Sequence, residues 1–147
     1  MEQAFARDAN FVPIVNLGLM ASKAITYAAL TTGATGATTL FTVTGTVAVR
    51  VFAVVSGTDL TGSGTLEAGI AGNTAAILAQ VAATALDVGE IWTDNAPSTI
   101  EALPAIQIVA GGADIIQTIA TDTVTAGTLT YYCLWTPISA DGTVVAA

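Results

Sequence analysis

An all-β fold, built as a single-domain antiparallel sandwich, is what this sequence predicts, and three observations predict it. The first is Thr46–Ser56 (TVAVRVFAVVS), the longest β-like run, bounded by Gly45 and Gly57. Val47, Val49, Val51, Ala53 and Val55 fall on one face at period two, and Ala48, Arg50, Phe52 and Val54 on the other. β-branched density on two apolar faces marks a central strand. The second is a succession of about nine or ten short strand-like runs with no convincing long helix between them. The third is the unevenness of the loops, which favours a jelly roll over an immunoglobulin pattern. The latter would show Cys…Trp…Cys, and Cys133 is the sole cysteine.

Residues 1–23 read as an extended N-terminal arm and residues 24–147 as the sandwich. In the arm Phe5, Phe11, Val12, Pro13, Ile14, Val15 and Leu17 are apolar, yet neither the helical nor the strand period holds. Two readings stand side by side: a segment tucked against its own sheet, or an arm that docks on a neighbour by strand addition or in apolar pockets. The strand grammar starts after Lys23. Ala24–Leu30 reads as the first strand, 31–38 (TTGATGAT) as a loop, and Leu40–Thr44 as the second strand. The central strand follows, then the glycine loop 57–64 and the strand Thr65–Ala71, with Leu66, Ala68 and Ile70 inward. Ala75–Val81 suits a short helix or a strand, and its neighbours favour the strand.

The segment 87–104 (DVGEIWTDNAPSTIEALP) holds four of the eleven acids and two prolines, so it reads as a surface loop around a short strand, Glu90–Thr93. Ala105–Val109, the pair Gly111-Gly112 and Asp114–Ala120 read as a hairpin. Thr128–Trp135 (TLTYYCLW) is the second major strand: Leu129, Tyr131, Cys133 and Trp135 share one face, Tyr132 and Leu134 the other. Pro137 ends it, and Asp141-Gly142 reads as a hairpin turn into the last strand, Thr143–Ala146. Gly-Thr-Val/Leu recurs at residues 45, 64, 127 and 142, but the irregular spacing makes it turn chemistry rather than a repeat unit.

Composition narrows function by exclusion. The 147 residues are 53% apolar and only 10% charged, with eleven acids against three bases and a net charge of −8. That balance argues against nucleic acid and against anionic membrane surfaces, both of which need clustered Lys and Arg. Mean hydropathy is +0.72, yet the longest uncharged stretch, residues 24–49, is rich in Thr and Gly and lacks the apolar block of a spanning helix. The opening Met-Glu-Gln with Arg7-Asp8 is no signal-peptide pattern, so cytosolic synthesis is expected. Low charge in so apolar a chain has two readings: a neutral Thr/Ala/Gly surface, or a surface covered by partners.

Catalytic groups are scarce. Without histidine there is no His-based triad, general base or metal ligand. A lone Cys133 without histidine reads as a strand residue, and Lys23, the single lysine, has no identifiable partner. No cofactor or metal is expected, and an enzyme is the least favoured reading. Asp87, Glu90 and Asp94 cluster around Trp92, which opens glycoside chemistry, calcium or a sugar platform with Trp135, although the spacing matches no calcium loop. Trp in a sandwich is more often core or interface. Arg50, alone among apolar neighbours, is expected to meet a carboxylate inside the subunit or across an interface.

Two runs carry a resemblance: ITYAALTTGATGATTLFTVTGTVAVRVFAVV (Ile25–Val55) and GTLTYYCLWTPISADGTVVAA (Gly127–Ala147). They resemble the small all-β proteins that decorate, or cement, the capsids of tailed bacteriophages. The likeness is one of style and arrangement. It implies a jelly-roll-like domain, commonly a homotrimer, on the outer capsid surface where subunits of the major capsid protein meet. It also implies a virion protein assembled in the host cytoplasm, with Phe5, Phe11, Val12, Pro13, Ile14, Arg50 and Trp92 as candidate partner-binding residues. The competing expectation is a tail or adhesin module that holds carbohydrate through Trp92 and its acids.

Overall fold

The computed structural model describes residues 18–147, and the chain is all-β, as its periodicity predicts. The strands are β1 (Leu19–Thr26), β2 (Gly36–Thr44), β3 (Val47–Val55), β4 (Thr61–Gly62), β5 (Thr65–Ile70), β6 (Asn73–Ala82), β7 (Ile91–Trp92), β8 (Gln107–Val109), β9 (Ile115–Ala120), β10 (Val124–Ala126), β11 (Thr128–Pro137) and β12 (Thr143–Ala146). They form two antiparallel five-stranded sheets. One has the order β1-β11-β3-β7, with β8 also on β3; the other runs β12-β2-β9-β5-β6. β4 and β10 make a separate two-stranded ribbon.

β3 is central, as its two apolar faces require. It pairs with β11 along nine residues, Leu129↔Val55 to Pro137↔Val47, and with β7 and β8 on its other side. Its odd-numbered residues are all buried. They meet Leu129, Tyr131 and Cys133 of β11 and, from the other sheet, Phe41, Val43, Leu66, Leu78, Ile115 and Ile119, in one apolar cluster. Each such side chain contributes about 1.5–3 kcal/mol on leaving water.

Three expectations are corrected. The first strand is Leu19–Thr26 rather than Ala24–Leu30, so it begins within the stretch assigned to the arm. Its buried positions are few because it is an edge strand, which weakens its period. The two expected hairpins are not hairpins. β8 lies on β3 in the first sheet, while β9 lies between β2 and β5 in the second. The Gly111-Gly112 turn, both residues at φ +68°, carries the chain from one layer to the other, and the Gly112 amide donates to the Gly45 carbonyl. β11 and β12 likewise belong to different sheets, joined by a corner in which the Ile138 and Ser139 amides donate to the Thr46 carbonyl. Turn residues report a reversal but not which layer the next strand enters. The buried residues Val109 and Ile115 can both face the core from opposite layers.

The open edges are managed. Lys23 on β1 turns inward and donates to the Thr39 carbonyl at 2.7 Å, placing a charge where edge pairing would start. On β6 the Ala76 and Ala79 carbonyls accept from Gln107 Nε2 and Trp92 Nε1. Side chains of the first sheet thereby close that flank of the sandwich.

Candidate functional site

Trp92 is fully buried, so its assignment to a partner-binding or sugar-binding surface is corrected. Its neighbours explain why. β7 pairs Trp92 with Ala53 on the core side of β3, the indole meets Tyr131 edge-on at 6.2 Å, and Nε1 is satisfied by the Ala79 carbonyl. Trp135 is half-buried against the same core. The neighbouring acids shape loops rather than forming a carboxylate pair: Glu90 Oε2 accepts from the Asp87 amide, and Asp94 Oδ1 from the Ala96 amide. Among the described residues no group of three or more Cys, Asp or Glu is placed to hold a metal ion. No helix among them is long and apolar enough to cross a membrane.

Arg50 does stand on a surface. The even positions of β3 point away from the core, and the register extends that face across the sheet. Met20, Leu134 and Arg50 form one row, and Ser22, Tyr132 and Phe52 the next. Ala24, Thr130, Val54 and Ile91 form a third row, while Ala48 and Ile108 continue the face on the other side of Arg50. Met20 and Ile108 are 62% and 67% exposed. Phe52 and Tyr132 stack with ring centroids 5.3 Å apart.

The segment after β7 folds back over one end of it. Phe52, Ile91, Thr93, Glu101, Ala102, Leu103 and Pro104 line an apolar cleft of about 210 Å³ with one carboxylate in its wall. Glu101 accepts from the Thr93 and Ser98 hydroxyls and, among the described residues, from no cation. Arg50, two residues from Phe52 on the same strand face, has no ion-pair or side-chain hydrogen-bond partner among the described residues. No described residue supplies the carboxylate expected for Arg50.

The outer face of the second sheet mixes polar and apolar residues: Thr42, Val145, Ile116 and Thr118 lie on it, and Glu67 accepts from Thr74 and Gln80. The outer face of the first sheet is set apart by its stacked aromatic pair and its single cation.

Buried chemistry is confined to the core. Gln117 is fully buried between the sheets, and its Oε1 accepts from both the Tyr27 and Tyr131 hydroxyls. Burial pushes both tyrosines well above their usual pKa, and it pushes the Cys133 thiol up to about 12. A thiol held protonated is a poor nucleophile.

Phe5, Phe11, Val12, Pro13 and Ile14 lie outside the described residues. Sequence reasoning found Arg50 and the second apolar face of β3 but missed the cleft and Glu101. The alternation of Phe52, Tyr132 and Leu134 was the available signal for the face; nothing in the spacing brings residues 93–104 back onto it. No protein-family model matches the chain, and no match emerges among curated proteins or solved structures.

Proposed function

We propose that this chain is a structural protein of a tailed-phage virion, one that binds the outer surface of the capsid and cements neighbouring subunits of the major capsid protein. The observation that carries this reading is the apolar outer face of the first sheet. A face with Met20 and Ile108 exposed and Phe52, Tyr132 and Leu134 partly exposed suits burial against protein rather than water. The strand order supports the fold that the resemblance implies. Leaving out the β4–β10 ribbon and counting β7 and β8 as one strand position, one sheet runs first, eighth, third, sixth and the other second, seventh, fourth, fifth, with β12 added beside β2. We read this as a jelly roll. A homotrimer is the assembly we favour, since cyclic closure hides equal apolar patches on every copy.

Electron cryomicroscopy of the encoding phage's particles tests the proposal. The expected result is density for this sandwich outside the shell, at junctions of capsid subunits, together with particles that lose heat resistance when the protein is omitted. Intact, equally heat-stable particles that never carry it would overturn the reading.

A further inference from the structure

We infer that the apolar outer face of the first sheet is where copies of this chain meet, with Arg50 of one copy seated in the Glu101 cleft of the next. The inference rests on the structural reading above and names the partner of that face.

Charge complementarity selects a second copy as the occupant. A guanidinium on an apolar face gains from a carboxylate across an interface, and none of the described residues supplies one. The same face holds a carboxylate in the opposite situation: Glu101 sits in an apolar cleft, satisfied by two hydroxyls and matched by no cation among the described residues. Arg50 is about 7 Å along the strand from Phe52, which forms part of that cleft. Two such faces brought together about a two-fold axis set each Arg50 against the other copy's Glu101, and a closed ring makes the same pair once per contact.

The chemistry of the cleft fits an arginine. Its walls, from Phe52, Ile91, Leu103 and Pro104, would pack on the aliphatic stem, and Glu101 would take the planar head in a bidentate contact. The chain's net charge of −8 opposes self-association in general. Of the described acids, Glu101 alone lines the cleft, Glu90 and Asp94 flank β7 at the edge of this face, and Glu67 lies on the second sheet.

Sedimentation equilibrium of the full chain over a wide dilution series tests this. The wild-type chain should self-associate. Arg50→Glu and Glu101→Arg should each weaken association about tenfold or more, the scale of breaking a partly desolvated interfacial charge pair. The double variant should regain most of the loss, since the pair re-forms with reversed sign. Ile108→Asp, an exposed position in the single copy, should also weaken association while leaving the denaturation midpoint of the dissociated chain unchanged. Either a dimer or a trimer that obeys these changes supports the inference. A wild-type chain that stays a single copy at every concentration, or a double variant no better than the singles, overturns it. If the chain stays single yet still occupies capsids, the face belongs to residues 1–17 or to a capsid subunit. The self-association inference then fails while the virion reading survives.

Discussion

Replacing Trp92 by alanine separates the two roles this residue could have had. The indole is fully buried, packs edge-on against Tyr131 and donates to the Ala79 carbonyl at 3.2 Å. Truncating a buried Trp to Ala costs about 3–5 kcal/mol through lost transfer energy and the cavity left behind. The broken hydrogen bond adds little, because Ala79 lies on an exposed edge strand where water can replace the indole. The expected loss is therefore about 4 kcal/mol, a large share of the roughly 5–15 kcal/mol that holds a domain folded. Trp92→Phe keeps a ring in place and should cost about 1–2 kcal/mol. Urea denaturation at fixed protomer concentration measures both, since the midpoint shifts by the lost energy divided by the slope. A Trp92→Ala chain within about 1 kcal/mol of wild type would refute the core assignment. So would loss of glycan binding with the midpoint unmoved, which is the behaviour of an exposed sugar platform.

Two further outcomes follow from the buried polar groups. Gln117→Leu leaves the Tyr27 and Tyr131 hydroxyls, 3.3 Å apart, with only each other, and should cost about 1–3 kcal/mol by urea denaturation. Adding Tyr27→Phe and Tyr131→Phe removes the stranded hydroxyls and should restore part of that loss; a triple variant weaker than Gln117→Leu contradicts the network. Cys133, with its pKa pushed up to about 12 by burial, should resist thiol reagents at mild alkaline pH until the chain unfolds, and rapid native-state labelling would count against its placement. The same shift sets a pH dependence. The unfolded thiol ionises near its ordinary value of 9.0, and the unfolded tyrosines near 10.0, before their folded counterparts do. The folded state binds the protons longer, so stability is complete below about pH 9 and falls as pH rises toward 12. A denaturation midpoint that stays level over that range would refute it.

What the sequence by itself determined was local and periodic. The β-branched run at residues 47–55 specified a strand, and apolar residues on both sides of its pleat marked it as central. Glycine and threonine marked most of the turns, since they fit reversed backbones and strand starts. Even the apolar outer face could be read in the even positions of β3 and β11. Tertiary structure decided which layer each strand joins. The corners at Gly111-Gly112 and at residues 138–142 look like hairpin turns in sequence, yet long-range pairing with β3 and β2 draws successive strands into opposite sheets. It also decided that Trp92 faces inward, because a two-residue strand has too few positions to reveal its phase. The meeting of Glu101 with Phe52 and Ile91 was set in the same way, by a fold-back of the loop after β7 that no short-range pattern encodes.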